Sequence, residues 1–335
     1  MTRAVRARYA LIIAAYVIPS LLVLAAAPWF GGEDARWPAS LGRDGQHWSI
    51  PEQIFLFQRV PRILLGFLAG GTLGLAGAVL QVLLRNPLAE PFTLGITGGA
   101  ALGAAMAITI PGLFAAAGPL STVQIFALAG SGLSLFIIYA LARSPRGISM
   151  NTLLLAGVTI GILSNALILL IRYLVSPHLL LAVDRWLMGG LDIVGFNAVA
   201  SLLPLLLPGA GLMLSTMTAL NHLSLGEDLA AGHGVDVAQI QRRAFFGAGL
   251  ATAAVVSVAG PIGFIGLITP HAVRKLSGYD HRIVLPGAFC LGGMFLVACD
   301  VLARTVAAPM EMPVGIVTAL IGGPLFIFLL VRTRN

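Results

Sequence analysis

Reactive side chains are scarce, and their spacing decides what chemistry they can do. The 335 residues hold two cysteines, six histidines and one lysine. No His-Glu-x-x-His or comparable ligand spacing occurs, so no metal site is expected. His271, in Thr269-Pro270-His271, stands alone. Lys275 lies in Val273-Arg274-Lys275-Leu276 and not in the Gly-Lys-Ser/Thr run that cradles phosphate, so the sequence encodes no nucleotide-hydrolysing site. Cys290 and Cys299 share one apolar run, where their spacing puts them on opposite helix faces as two small buried hydrophobes. No nucleophile–base pair emerges, and no catalytic residue is assigned.

Four polar or Gly/Pro-rich strings remain, and each suggests positioning or docking. In Arg85-Asn86-Pro87-Leu88-Ala89-Glu90-Pro91 two prolines stop a helix, and the glycines that follow permit close backbone packing. Ser224-Leu225-Gly226-Glu227-Asp228 reads as a capping box between Ser224 and Glu227. Acids fill its first turn, and Gly232 or Gly234 is placed to end the helix in αL geometry. Asp236 and Gln239 offer a second box for the next helix. Gly260-Pro261-Ile262-Gly263-Phe264-Ile265-Gly266, leading to Pro270, breaks a helix where only protein or a cavity could cover it. Arg59, Arg62 and Arg304, with Asp300 four residues before Arg304, form a charged group read as a cationic rim for an acidic partner. Snorkelling to lipid headgroups is the plainer account of the same arginines, and an ordinary solvated loop that of 224–234.

The elements that must carry these strings are membrane helices. Hydrophobic residues make up 58% of the chain and charged residues 10%, against about 25% charged in soluble domains. A mean hydropathy of +0.95 excludes both an ordinary soluble enzyme and a disordered chain. Apolar runs fall near 10–28, 63–84, 93–110, 122–142, 152–174, 198–218, 244–262, 283–303 and 313–331. The short 263–277 piece adds a half-helix, which gives ten segments. The fold class expected is an all-α polytopic membrane protein of ten transmembrane segments, with two short half-helices and an inverted repeat. Residues 1–335 form one transmembrane domain: a first span at about 10–28, a first repeat at 59–174, a sixth span at 198–218, a polar loop at 219–241 and a second repeat at 242–331. Ala25-Ala26-Ala27 leaves open a cleaved signal peptide in place of the first span. Residues 31–58, with Trp29, Trp37 and Trp48 at or near the edges, read as an external loop with interfacial anchors.

A net charge of +7 would suggest nucleic acid in a soluble chain; here it is read through the positive-inside rule. Placing both termini in the cytoplasm puts 13 of the 20 basic residues inside, among them Arg85, Arg143, Arg146, Arg242, Arg243 and Arg334, with five of the 13 acids. No nucleic-acid partner is expected. The inverted repeat rests on a short match: Ala76-Gly77 with Pro87 ten residues after the glycine, and Ala259-Gly260 with Pro270 ten residues on.

Together the strings resemble the FecCD-type permeases of type II ATP-binding-cassette importers for iron–siderophores, haem and cobalamin. The resemblance runs from Arg59 to Leu330. It rests on Arg59-Val-Pro-Arg62, Gln81 through Pro91, Leu94-Gly95, Leu155-Ala-Gly157-Val158, Trp186-Leu-Met-Gly-Gly190, Leu225-Gly-Glu227, Gly263 to Leu267, Pro270-His271, Asp280-His-Arg282 and Met312-Pro-Val-Gly315. It implies a multi-pass subunit of the cytoplasmic (inner) membrane, embedded in lipid and paired with a second copy or paralogue. Two ATPase subunits would carry the ATP and Mg, and this chain would hold no cofactor. A substrate-binding protein would dock outside, on Arg59, Arg62 and Arg304. Ser224, Leu225, Gly226, Glu227, Asp228, Ala231 and Gly234 would form the element that couples to the ATPase. Asn86, Pro87, Gly157, Gly161, Gly263, Gly266, Pro270, Gly315 and Gly322 would shape the half-helices and the path. An autonomous ion-coupled carrier is the alternative; it needs an intramembrane acid, and only Asp300 comes close, beside Arg304.

Overall fold

The computed structural model describes residues 3–31, 37, 48–110, 116–117, 120–144, 147–306, 308 and 310–332. The expected external loop is therefore described only at its edges and at Trp37, and Arg146 and Arg334 lie outside the described residues. Helices dominate. In order they are α1 (Arg3–Ala26), α2 (Ile50–Ile54), α3 (Val60–Leu83), α4 (Ile96–Thr109), α5 (Thr122–Ala142), α6 (Met150–Leu174), α7 (Pro177–Leu187), α8 (Asn197–Ser215), α9 (Met217–Leu223), α10 (Glu227–Gly232), α11 (Val237–Ala259), α12 (Ile265–Ser277), α13 (His281–Thr305) and α14 (Val314–Arg332). A π-helical turn, Phe55–Arg59, fuses α2 to α3, and a 3-10 turn, Pro91–Leu94, precedes α4. Two two-stranded hairpins, Ala116–Ala117 with Leu120–Ser121 and Arg143–Ser144 with Gly147–Ile148, flank α5.

Every expected apolar run coincides with a helix, yet the helices are not alike. Among the described residues six are long and apolar enough to cross a membrane: Ala7–Trp29, Ile50–Leu83, Thr122–Ala142, Met150–Leu174, Asn197–Ser215 and His281–Thr305. The apolar parts of α4 and α14 are shorter, and α12 has 13 residues. The sixth run is divided at Thr216 into α8 and α9.

Helix α3 is the axis of the molecule, with its apolar surface buried almost all round. Its glycines allow this. A methyl group on Gly70 would collide with the Gly292 carbonyl of α13, and one on Gly77 with the Gly266 carbonyl of α12. Such small-residue contacts let backbones touch where lipid supplies no hydrophobic drive.

The packing order repeats. Helix α3 lies against α12 and α13, and α11 against α4 and α5. Within each set α4 touches α5 and α6, as α12 touches α13 and α14. The short match that suggested the repeat is not its true register. Gly77 sits inside α3, whereas Gly260 is the C-cap of α11 at φ 67°. The corresponding positions are instead Gly95 (φ 70°) and Phe264 (φ 70°), the αL residues that open α4 and α12.

Candidate functional site

At one end of the molecule a polar knob stands out. Helix α10 is six residues long and starts from Gly226 at φ 128°, a value that favours glycine. Glu227 and Asp228 occupy its first turn, where carboxylates complement unpaired N–H groups. The expected capping box is corrected here: the Ser224 hydroxyl donates back to the Asn221 carbonyl at 2.8 Å, and the N-cap is Gly226. The chain turns too early for Ser224 to reach α10. The other end follows expectation. Gly234 at φ 79° closes the helix, with Gly234 N–H donating to Ala231 O and Val235 N–H to Ala230 O. Asp236 then caps α11 by accepting from Gln239 N–H at 2.9 Å. Ala230 is buried against the body, while Leu225 and Leu229 are 65% and 56% exposed. Leu225, just before the helix, and Leu229, within it, thus both face outward.

The knob is fastened to the core at two points. Arg85 takes φ 47° just past α3 and pairs with Glu227 at 3.3 Å, which joins the Arg-Asn-Pro string to the knob. Asn86 folds its carboxamide oxygen onto Leu88 N–H at 2.9 Å. The second point lies in α9, just before the knob. Asn221 donates to Asp280 Oδ1 at 2.8 Å and accepts from His281 N–H at 2.8 Å, and its oxygen lies 2.7 Å from His281 Nδ1. Asp280 also receives the Tyr9 hydroxyl and caps α13 through Arg282 N–H. Burial pulls the Asp280 carboxyl upward, but the Tyr9, Arg282 and Asn221 hydrogen bonds win and hold it below the usual carboxylate range. This knot ties α1, α9 and the α12–α13 turn together, and Tyr16 adds a bond to Ser277 at 2.6 Å. Helix α1 is thus a bonded part of the fold.

From the knot, α12 runs inward to a cleft of about 550 Å³. Glu90, Phe92, Met188, Phe264, Gly315 and Leu320 are among its lining residues. Most of that lining is apolar, and among the described residues Glu90 is its one ionisable side chain. Its Oε2 accepts from Phe264 N–H at 3.2 Å. Burial pushes the Glu90 carboxyl, in the turn outside the spanning helices, up to about 7, and the Phe264 hydrogen bond only partly opposes this. The Trp186–Gly190 stretch wedges between α11 and α14: Gly190 N–H donates to Ala259 O at 2.9 Å and Gly315 N–H to Gly189 O at 3.3 Å.

Of the path residues expected from sequence, Gly263 and Gly315 do line this cleft. Gly157 and Gly161 instead receive the start of α4, Gly266 receives α3, and Gly322 receives the Phe264 side chain. Pro270 is buried within α12, and Asn86 and Pro87 lie in the turn beneath. Glu90 and Phe264 were missed. An acid between two prolines is a visible signal for the first; nothing local marks the second.

The opposite end gathers the three arginines, but not as an exposed rim. Arg59, Arg62 and Arg304 are each 5–8% exposed. Arg62 pairs with Asp300 at 2.9 Å and Asp192 at 3.2 Å and also contacts Glu311; Arg304 pairs with Asp300 at 3.0 Å. Arg59 donates to the Pro28 carbonyl at 3.0 Å, and Arg304 to that of Phe30 at 3.1 Å. A buried carboxylate needs its partners, because leaving either charge alone would cost several kcal/mol (about 3–5). Among the described residues, charges that face outward here include Arg185, Asp192 and Glu311. Asp300 is enclosed by two guanidinium groups, so it is not a free coupling acid.

Known proteins share this design. A solved structure described as an inward-facing conformation of a putative metal-chelate type ABC transporter superposes with a TM-score of 0.79 at 30% identity, covering 97% of this chain and 99% of that one. A cobalamin import system permease protein, BtuC, of Halobacterium salinarum is 43% identical over 81% of this chain and 72% of its own. The hemin transport system permease protein HmuU of Yersinia pestis is 39% identical over 84% of each chain. The iron(3+)-hydroxamate import system permease protein FhuG of Bacillus subtilis is 36% identical over 84% of this chain and 85% of its own. The model of the FecCD transport family matches residues 12–332, and the chain belongs to that family.

Proposed function

We propose that this chain is the membrane permease subunit of an ATP-driven importer for a metal chelate of the iron–siderophore, haem or cobalamin class. The observation that carries the reading is the capped knob at α10, with Leu225 and Leu229 held outward. Two separate ATPase subunits, which bind ATP and Mg, grip this knob on the cytoplasmic side. Both termini lie on that side, and the chain itself performs no hydrolysis. A second permease copy or a paralogue covers the apolar faces of α6 and α14, where Leu163, Leu170, Leu320 and Ile327 are exposed. Cargo arrives on an external binding protein. Because Arg59, Arg62 and Arg304 are engaged inside the subunit, that protein docks on the mixed surface around Arg185, Asp192 and Glu311, with the arginine cluster as its scaffold.

The mechanism follows from linkage. A partner shifts a two-state gate only by binding one state better than the other. The knob moves with α9; α9 is bonded through Asn221 to the α12–α13 turn; and α12 carries Phe264 into the cleft. A shift of the knob therefore reaches the gate through packed, hydrogen-bonded elements. An apolar cleft gives cargo little to hold, so affinity resides in the external protein.

Reconstitution tests this. Uptake into proteoliposomes should require the ATPase subunits and ATP, and Leu225→Asp with Leu229→Asp should abolish ATPase co-purification while the permease stays folded. Uphill uptake by the chain alone, driven by an ion gradient, would sink the reading.

A further inference from the structure

A second cleft, of about 380 Å³, opens at the knob end between the foot of α5 and the start of α11. Tyr139, Arg143, Ser144, Gly147, Ala238 and Arg242 are among its lining residues, and among the described residues no acid is. The hairpin that follows α5 is held in place by Gln241. Its Oε1 accepts Ile148 N–H at 3.0 Å, and Gln241 is 1% exposed. A side chain at Gly147, where φ is 132°, would press on that same oxygen. Arg143, where that hairpin begins, and Arg242 both line the cleft. Both guanidinium groups are exposed, and among the described residues neither has an ion-pair or hydrogen-bond partner. Two uncompensated cations in a preformed polar cleft specify an anion with several acceptor oxygens, which is the chemistry of a phosphate group.

The neighbouring surface says which kind. Leu133 and Phe136 on α5 are 61% and 67% exposed, Ala140 is exposed, and Arg143 continues the same helical stripe. An apolar stripe that faces outward from a spanning helix contacts acyl chains. It leads directly to the arginine cleft, so a single ligand with both a phosphate and hydrocarbon tails satisfies both. We propose that this cleft binds the headgroup of an anionic phospholipid, with its acyl chains along Leu133 and Phe136. Basic pockets between spanning helices on the cytoplasmic side are suited to such headgroups. That this end faces the cytoplasm rests on the importer reading; the lipid contact itself does not.

The full chain, purified in detergent, is titrated with phosphatidylglycerol or with phosphatidylcholine and read by native mass spectrometry. The expected result is one phosphatidylglycerol retained per chain in preference to phosphatidylcholine. Arg143→Gln with Arg242→Gln should weaken that retention about thirtyfold, or about fivefold per arginine. Arg243→Gln, an exposed neighbour outside the cleft, should leave it unchanged. Equal retention by the wild type and the double variant overturns the proposal. Displacement of the lipid by millimolar inorganic phosphate also overturns it, by making free phosphate the occupant. A double variant that keeps its lipid but loses ATPase co-purification overturns it in favour of a protein contact. If the wild type binds no ATPase at all, the importer reading falls while the lipid titration still stands.

Discussion

The two half-helix entrances, at Gly95 and at Phe264, hold the same backbone conformation with opposite consequences. At Gly95 the αL turn is made by a residue without a side chain, and it presses directly on Gly157 of α6. The result is a backbone-to-backbone seal. At Phe264 the same turn is forced on a bulky residue, for which positive φ is strained. The strain is held by two neighbours: Glu90 accepts its N–H, and Gly322 of α14 leaves room for the side chain. One repeat therefore closes a permanent joint, while the other puts a strained aromatic residue on the wall of the cleft. Pseudo-symmetric halves can diverge in this way because the fold fixes the backbone and leaves side chains free to specialise. The second entrance is the one suited to move.

The largest test of this contrast is at the seal. Gly157→Val should place branched carbons against the Leu94 backbone, and the expected outcome is loss of folded, monodisperse protein in size-exclusion chromatography. Such overpacking costs about 1–3 kcal/mol or more. If that variant folded normally, the seal would not be structural. A smaller effect is expected at the strained entrance. Phe264→Ala loses the packing on Gly322 and keeps the αL penalty, whereas Phe264→Gly loses the packing and removes the penalty. The glycine variant should therefore be the more stable of the two, by about 1–2 kcal/mol in thermal unfolding. The reverse order would mean that Phe264 is not under backbone strain.

A third effect, one that depends on pH, concerns Glu90, whose folded pKa of about 7 exceeds its ordinary value of 4.5. A carboxyl raised on folding binds more protons in the native state than in the unfolded one. Stability then falls as pH rises from about 4.5 to 7, and the loss stays constant above that window. Glu90→Gln keeps an acceptor for Phe264 N–H but cannot ionise. It should leave unfolding near pH 4.5 unchanged and raise stability near pH 8. Parallel pH profiles for the two proteins would show that Glu90 is solvated after all.

Much of this was legible in the chain. The apolar runs located the helices because a spanning segment must bury its backbone hydrogen bonds in its own helix, whatever its neighbours do. Gly234 and Asp236 announced their caps for the same local reason. The failures were equally specific. Ser224 looked like a cap three residues before Glu227, but the turn at Gly226 decided otherwise. Arg62 and Arg304 looked like an exposed rim: the spacing shows Asp300 beside Arg304, but nothing in these segments shows that Asp300 also meets Arg62, or that Asp192 and Glu311 close over Arg62.

Sequence by itself determined the helices, their order and the kind of surface each string carries, because hydropathy, caps and breakers act over a few residues. Tertiary structure alone decided which charges are spent inside, which αL turn is a seal and which is strained, and where Glu90 sits. Those outcomes depend on groups brought together from distant segments, such as Arg62 with Asp300 or Glu90 with Phe264. No spacing along the chain encodes their distance.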